Sequence, residues 1–226
     1  MKKFVLIFTL ILMASFARAY DAKIGGIYYD LISKAKVAVV TQGDEKYTGE
    51  ITIPETVDYG GITYTVTSVN DNSFLACAEL TKVILPDNVT VIGNSAFKDC
   101  YSLMSVKLPA ILERIGTNAF HWCKSLTSIE LPAGLKEIGE YGFCNCSSLT
   151  SIAWPEQIEK IGDKAFADCT SLKTVRLPEG MKSVSSNMFN GCTSLESVNL
   201  PESITTIEEG AFENTSLKSV SIPQSI

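Results

Sequence analysis

The sequence predicts a β-rich solenoid of stacked 23-residue coils, with a parallel sheet on its concave side, short helical turns and an N-terminal β cap. Three observations predict this fold: a strict 23-residue period, an apolar alternation typical of strands, and a proline that closes each alternating segment. Phenylalanine and cysteine keep this interval along most of the chain. The repeated positions are Phe74, Phe97, Phe120, Phe143, Phe166, Phe189 and Phe212, and Cys77, Cys100, Cys123, Cys146, Cys169 and Cys192.

Each repeat begins with the pattern L-x-x-V/I-x-L-P, which runs from Leu80 to Pro86 in one copy. Its apolar residues Val83 and Leu85 are two apart, which predicts a strand with one buried face. Proline has no N–H to donate to a sheet, so it ends this strand. The pattern V-x-x-I-G follows, and its β-branched residues favour a second short β segment. The glycine after it is predicted to be a turn residue, as in Gly93, Gly116, Gly139 and Gly162.

The residue three positions before each phenylalanine predicts a single helical turn. Five of the seven residues at this position are types favoured as helix N-caps. They are Asp71, Asn94, Thr117, Glu140, Asp163, Ser186 and Glu209. The alanine and phenylalanine that follow are expected to point inward and to stack between coils.

Together, L-x-x-V-x-L-P, V-x-x-I-G and A-F-x-x-C resemble the leucine-rich repeat of the BspA-like class, found in bacterial surface and secreted proteins. The resemblance covers about Val57 to Ile226. It implies a leucine-rich repeat solenoid that binds or adheres to host, matrix or cell-surface proteins. The class motif is structural and has no catalytic residues to map, so a non-enzymatic protein without a cofactor or metal is expected.

Residues 1–19 are predicted to be a signal peptide. Lys2 and Lys3 precede an apolar run, and Ala17-Arg18-Ala19 has the small-x-small pattern of a cleavage site. The run is 13 residues long, and a transmembrane helix needs ~20, so no membrane insertion is expected. The protein is then exported and becomes secreted, periplasmic or cell-surface. Losing three basic residues changes the net charge from −6 to −9.

The remaining chain is predicted to divide into residues 20–56, a β cap, and residues 57–226, the solenoid. The solenoid contains a degenerate first repeat at 57–79 and a truncated last repeat. The predicted strands outside the regular repeats are 27–32, 36–40, 48–53 and a strand around 219–222. An uncapped last strand is an open edge, which suggests an alternative function: a structural envelope component that self-associates as an end-to-end homodimer.

The acidic balance argues against a nucleic-acid partner, because phosphates favour a basic surface. An exported protein permits disulfides, but the six repeated cysteines are predicted to be buried free thiols. Cys144 lies outside that series, beside His121 of the adjacent coil. A Cys–His pair is a possible nucleophile and base, but no orienting partner is identifiable, and two exposed side chains are expected.

Two surfaces are candidate binding sites. The first is the concave face, whose exposed strand positions include Lys82, Lys107, Glu130, Arg176 and Asn199. The alternative for this face is a solvated polar sheet. The second is an edge on which Tyr101, His121, Trp122 and Tyr141 follow one another on consecutive coils. Exposed aromatic residues are typical binding anchors, and the alternative is that Trp122 folds back over the cysteines. Trp154 replaces a core leucine and is predicted to be buried.

Overall fold

The computed structural model describes residues 20–226, so the predicted signal peptide lies outside the described residues. The described chain is a strand-rich leucine-rich repeat solenoid, which confirms the predicted fold class. Its strands are β1 (Ala22–Ile24), β2 (Ile27–Ile32), β3 (Val37–Val40), β4 (Gly49–Thr52), β5 (Thr56–Tyr59), β6 (Ile62–Val69), β7 (Leu80–Ile84), β8 (Val91–Ile92), β9 (Ser105–Lys107), β10 (Arg114–Ile115), β11 (Ile129–Glu130), β12 (Glu137–Ile138), β13 (Ile152–Ala153), β14 (Lys160–Ile161), β15 (Thr174–Arg176), β16 (Ser183–Val184), β17 (Ser197–Asn199) and β18 (Thr206–Ile207).

Both strands of the repeat form parallel ladders with a 23-residue register, as in Lys82 opposite Ser105 and Arg114 opposite Glu137. The strands of the V-x-x-I-G pattern are called second strands, and those of the L-x-x-V/I-x-L-P pattern first strands. The second strands form the longer run, β6–β8–β10–β12–β14, and β16–β18 is a separate pair. The first strands form three shorter sheets, β4–β7–β9, β11–β13 and β15–β17. The predicted parallel sheet of first strands is therefore interrupted twice, between β9 and β11 and between β13 and β15.

The predicted helical turns are wrong, because no residue of the described chain is helical. Two residues per coil adopt left-handed backbone angles, such as Ser95 (φ 53°) and Asp99 (φ 61°). A right-handed helix needs φ near −60°, so these residues break it. The Phe97 N–H donates to the Ala119 oxygen of the next coil at 2.7 Å instead of to its own coil. The segment is thus a series of tight turns, and its backbone hydrogen bonds connect each coil to the next.

The repeated phenylalanines stack along the solenoid axis, as predicted. Six of them are fully buried and Phe212 is half-buried. Adjacent rings are nearly parallel, and their centroids lie 4.8 Å apart at Phe74–Phe97 and 5.9 Å apart at Phe166–Phe189. Trp154 is partly buried and packs edge-on against Phe166 at 5.1 Å. The core is therefore a continuous ladder that every coil extends.

The N-terminal strands join the same ladder. Strand β3 pairs with β6 and β4 pairs with β7, and both pairings are parallel. In the second pair, Ile51 lies opposite Val83. The Tyr47 ring lies 4.6 Å from Phe74 and occupies the place that phenylalanine has in later coils. Strands β2, β3 and β4 agree with the predicted segments, whereas β1 was missed. The missed signal is Gly25-Gly26, which takes φ values of 58° and 84° in the β1–β2 hairpin.

The predicted strand around residues 219–222 is absent from the structure. The loop before it is one residue shorter than in the other repeats, and Leu217 is only half-buried. Ile222, which the alternation pairs with Val220, is 56% exposed. Apolar alternation without burial does not stabilise a strand.

Candidate binding surfaces

The first candidate surface, called here the first-strand surface, carries Lys82, Lys107, Glu130, Arg176 and Asn199. Lys82 is half-buried and its Nζ lies 3.4 Å from Glu50 Oε2, whereas the other four side chains are exposed. Within residues 20–226, no ion pair involves Lys107, Glu130 or Arg176. Arg176 lies opposite Asn199 in the β15–β17 ladder. The interruption between β9 and β11 separates Lys107 from Glu130.

A hollow lies at each interruption of the first-strand sheets. The one between β9 and β11 has a volume of about 520 Å³, and Lys107, Glu130 and Leu108 are among its walls. The one between β13 and β15 has a volume of about 340 Å³ and is bordered by Trp154, Arg176, Glu156 and Glu179. The Trp154 Nε1 is buried and has no hydrogen-bond partner in the described chain.

The charges beside the second strands are paired between coils. The Arg114 Nε lies 3.2 Å from Glu137 Oε2, and the Lys160 Nζ lies 3.6 Å from Glu137 Oε1. The Lys136 Nζ lies 2.9 Å from Glu113 Oε1. Such exposed pairs contribute little stability, but each basic group here already has an acidic neighbour. Within the described chain, Arg114, Lys136 and Lys160 are thus paired beside the second strands, whereas Lys182, which precedes β16, is not; on the first-strand surface Lys82 is paired and Lys107 and Arg176 are not.

The second candidate surface, called here the aromatic edge, consists of Tyr101, His121, Trp122 and Tyr141 with Lys124 and Lys164. The His121 ring centroid lies 5.8 Å from that of Trp122 and 6.0 Å from that of Tyr141. The Lys124 Nζ lies 4.7 Å from the Trp122 ring and 5.6 Å from the Tyr101 ring. The structure therefore brings all four predicted residues into one row.

The two lysines of this edge were missed by sequence reasoning. Lys124 follows Tyr101 by one repeat, and Lys164 follows Tyr141 by one repeat, so the 23-residue columns contained the signal. The Lys164 Nζ lies 5.5 Å from the Tyr141 ring. An ammonium over an aromatic face is attracted by the ring quadrupole. This attraction holds Lys124 beside Tyr101 and Trp122, and Lys164 beside Tyr141.

Trp122 is half-buried and has a left-handed backbone conformation, with φ at 66°. Most other coils place a residue suited to this conformation at the same position: Asp99, Asn145, Asp168 and Gly191. Asparagine, aspartate and glycine visit this region readily, whereas a bulky residue is strained there. Tyr141 has φ at 56° in a second left-handed column, in which Ser95 and Lys164 are the other residues that are not asparagine or glycine; the rest are Asn72, Asn118, Asn187 and Gly210.

Cys144 corrects one sequence prediction, because its side chain is buried and not exposed. Burial raises the pKa of its thiol to about 11, and Asn145 Nδ2 donates to its sulfur at 3.2 Å. Burial also lowers the pKa of His121, which is half-buried. Both shifts favour the neutral forms, whereas Cys–His catalysis requires a thiolate with a low pKa.

The six repeated cysteines are buried and unpaired, as predicted. In all but the first, the thiol lies close to the carbonyl oxygen of the phenylalanine in the preceding coil, at 3.0 Å from Cys100 Sγ to Phe74 O and 3.2 Å from Cys192 Sγ to Phe166 O. Burial is the largest cause of the raised pKa of each thiol. These cysteines therefore act as small core residues with weak S–H donors.

A third hollow, called here the edge hollow, lies along the aromatic edge and has a volume of about 360 Å³. Cys144 and Ala167, both buried, are the small residues at its centre. Within residues 20–226, no group of three or more His, Cys, Asp or Glu side chains is placed to hold a metal ion. That part of the chain also has no helix of the length and hydropathy needed to cross a bilayer.

Parallel coils with this strand pattern define a leucine-rich repeat protein. A family model described as the BspA type leucine-rich repeat region matches residues 56–138 and 113–226, with six copies. The chain belongs to this family.

Solved structures show the same fold. A leucine-rich repeat protein of T. pallidum is 34% identical over 80% of this chain and 83% of its own, with a TM-score of 0.73. One from Bacteroides ovatus is 30% identical over 91% of this chain and 60% of its own, with a TM-score of 0.80. A leucine-rich cell surface protein of Faecalibacterium prausnitzii is 33% identical, covering 91% of this chain and 49% of its own, with a TM-score of 0.60. No curated protein matches the sequence.

Proposed function

We propose that this protein is an exported, non-enzymatic adhesion protein that binds a host, matrix or cell-surface protein through its first-strand surface. The family and the fold indicate protein–protein interaction in general, and solenoids of this kind offer extended surfaces for it. The observation that supports this particular surface is its unpaired positive charge. Lys107 and Arg176 are exposed and have no acidic partner in an ion pair among the described residues, whereas Arg114, Lys136 and Lys160 beside the second strands are paired with glutamates.

The sign of this charge indicates the chemistry of the partner. The whole chain has a net charge of −6, so a basic surface on it is a local reversal. Complementary charge steers association and suppresses wrong partners. The protein partner is accordingly expected to present an acidic face, and its binding should weaken as salt screens the charges.

The surroundings of the two basic residues suit a protein partner. Small hydroxyl side chains occupy one exposed position of successive first strands: Ser105, Ser128, Ser151, Thr174 and Ser197. These leave the surface low and accessible between the hollows at the two sheet interruptions. The hollows give partner side chains places to insert, which is how interface anchors acquire most of their binding energy.

The test measures binding of the purified protein to a panel of purified extracellular-matrix proteins at two ionic strengths. Lys107→Glu and Arg176→Glu are each expected to weaken binding to any matrix protein that the parent binds. Lys182→Glu is the matched control, because this exposed lysine precedes β16 and the substitution changes the net charge equally. Equal losses in all three variants, or binding that salt does not affect, would contradict the proposal.

The oligomeric state of the same samples tests the alternative drawn from the sequence. Light scattering over a range of concentrations measures the mass directly. A monomer at every concentration rules out the end-to-end homodimer, whereas a concentration-dependent dimer that persists in Lys107→Glu favours self-association over adhesion.

A further inference from the structure

We infer that the edge hollow binds a single pyranose ring, such as the terminal unit of a glycan. This site lies on a different side of the repeat from the first-strand surface and does not depend on the function proposed for that surface. Three properties of the hollow carry the inference: its limited length along the solenoid axis, the mixed character of its polar groups and the strained aromatic residue beside it.

The shape follows from one column of the repeat. Cys144 and Ala167 are small and buried, and they are flanked along the axis by the larger His121 and Asn190 of the neighbouring coils. With coils ~4.8 Å apart, the two end residues are separated by roughly 14 Å. The volume of about 360 Å³ is near the lower end of the ~300–1,000 Å³ range of small-molecule sites. A hollow with residues at both ends favours a compact ligand over a passing polypeptide chain.

The polar groups of the hollow have both signs and both hydrogen-bonding roles. Within residues 20–226, the Asp168 carboxylate and the Lys164 ammonium have no hydrogen-bond or ion-pair partner among the side chains, and Lys164 contacts only the Tyr141 ring. The Asn145 amide donates only to a thiol, and His121 Nδ1 is buried without a partner. A hydroxyl both donates and accepts, so the several hydroxyls of one sugar ring suit this set. A simple anion or cation would be attracted by one charge and repelled by the other.

The aromatic residue is placed at a conformational cost. Tyr141 has φ at 56°, in a column where Asn118 and Asn187 take nearly the same angle without strain. Strained residues cluster at ligand clamps. A pyranose has an apolar C–H face that packs against an aromatic ring. The Tyr141 ring lines the hollow beside the carboxylate and the amide, and a sugar packed on its face would displace the Lys164 ammonium, which lies 5.5 Å from the ring centroid.

The experiment uses the one histidine of the sequence as its reporter. His121 lines the hollow, so the NMR signals of its imidazole are unambiguous. The purified protein is titrated with the methyl glycosides of glucose, galactose, mannose and N-acetylglucosamine, and separately with sodium acetate. A saturable shift of the His121 signals with at least one neutral glycoside, and none with acetate, is the expected result.

Substitution within one column separates ligand contact from folding. Tyr141→Asn introduces the residue that this position already has in three other coils, so the fold is kept, and the affinity should fall at least about tenfold, which corresponds to ~1.4 kcal/mol. Ser95→Asn changes the same column outside the hollow and should leave the affinity unchanged. Asp168→Asn should also weaken binding. No saturable shift with any glycoside, a response to acetate of the same size, or an unchanged affinity in Tyr141→Asn would overturn the inference without affecting the matrix-binding assay.

Discussion

Trp122 and Asn145 occupy the same left-handed backbone position in successive coils, with φ values of 66° and 61°. Asparagine suits this conformation, whereas tryptophan does not. The tryptophan is stabilised by the Lys124 ammonium at 4.7 Å from its ring and by the His121 ring at 5.8 Å. Side-chain contacts along the aromatic edge thus offset a backbone cost that Asp99, Asn145, Asp168 and Gly191 avoid at the same position.

The first prediction isolates that backbone cost. Trp122→Gly should be more stable than Trp122→Ala by ~1 kcal/mol, because both remove the ring but only glycine adopts the left-handed region freely. The free energy of unfolding in urea measures the difference. At Ser105, within β9, the order should reverse, since glycine in a strand is less stable than alanine. An alanine variant at Trp122 as stable as the glycine variant would show that the backbone there is unstrained.

The second prediction concerns the phenylalanine ladder. Phe143 is fully buried between Phe120 and Phe166, with ring centroids 5.0 Å and 5.2 Å away. Phe143→Ala should therefore lower the free energy of unfolding by ~3–5 kcal/mol. Phe212→Ala should cost clearly less, because Phe212 is half-buried and has one ring neighbour. Equal urea midpoints for the two variants would contradict the ladder as the main stabilising core.

The fold was predictable because its signal repeats, and each repeat confirmed the previous one. The strands at Leu80–Ile84 and Ser105–Lys107 follow directly from the L-x-x-V-x-L-P pattern. The turns were missed because N-cap residues at Asp71 and its equivalents also suit turns. Residues with left-handed backbone angles and hydrogen bonds between coils favour tight turns over a helical turn. Neither can be recognised from the sequence of one repeat alone.

The binding surfaces were predicted less completely because a side chain's partners lie on other coils. The columns placed Tyr101, His121, Trp122 and Tyr141 along one edge, and the structure does so too. They did not show that Cys144 is buried, since burial there depends on the bulk of its neighbours and not on its own polarity. Charge pairing between coils, such as Arg114 with Glu137, likewise could not be predicted from single repeats.

The third prediction is that no cysteine reacts with a thiol reagent in the native protein near neutral pH. All seven cysteines are buried, and burial raises the pKa of each thiol, so the reactive thiolate is scarce and inaccessible. In denaturant, all seven should titrate. A denatured count below seven would reveal disulfides in the native protein.

The fourth prediction is a loss of stability at alkaline pH. The pKa of the Cys144 thiol rises from 9.0 to about 11 in the folded protein. The unfolded state therefore loses its proton first, and the stabilisation present below pH 9 declines as the pH rises from 9 to 11. Each such thiol contributes ~1.4 kcal/mol per pH unit within its window. Unfolding free energies should fall less steeply over this range in Cys144→Ala, and identical slopes would show that Cys144 is not buried as described.

The last prediction concerns the glycine that follows each second strand. The sequence assigned it to a turn, but Gly93, Gly116, Gly139 and Gly162 do not have positive φ values. Their role is close approach between coils. A Cβ on Gly139 would lie 2.5 Å from the backbone nitrogen of Thr117 in the preceding coil.

Gly139→Ala is accordingly expected to be strongly destabilising, by more than ~2 kcal/mol, because a backbone atom cannot move aside without shifting the whole coil. Gly180→Ala is the matched control, since its nearest contact would be the Glu156 oxygen at 3.2 Å, and it should cost much less. Urea unfolding of both variants measures the difference. Because the column repeats, Gly116→Ala should behave like Gly139→Ala. A mild effect at both positions would show that the coils can move apart to accommodate a methyl group, and that their spacing does not require glycine at this position.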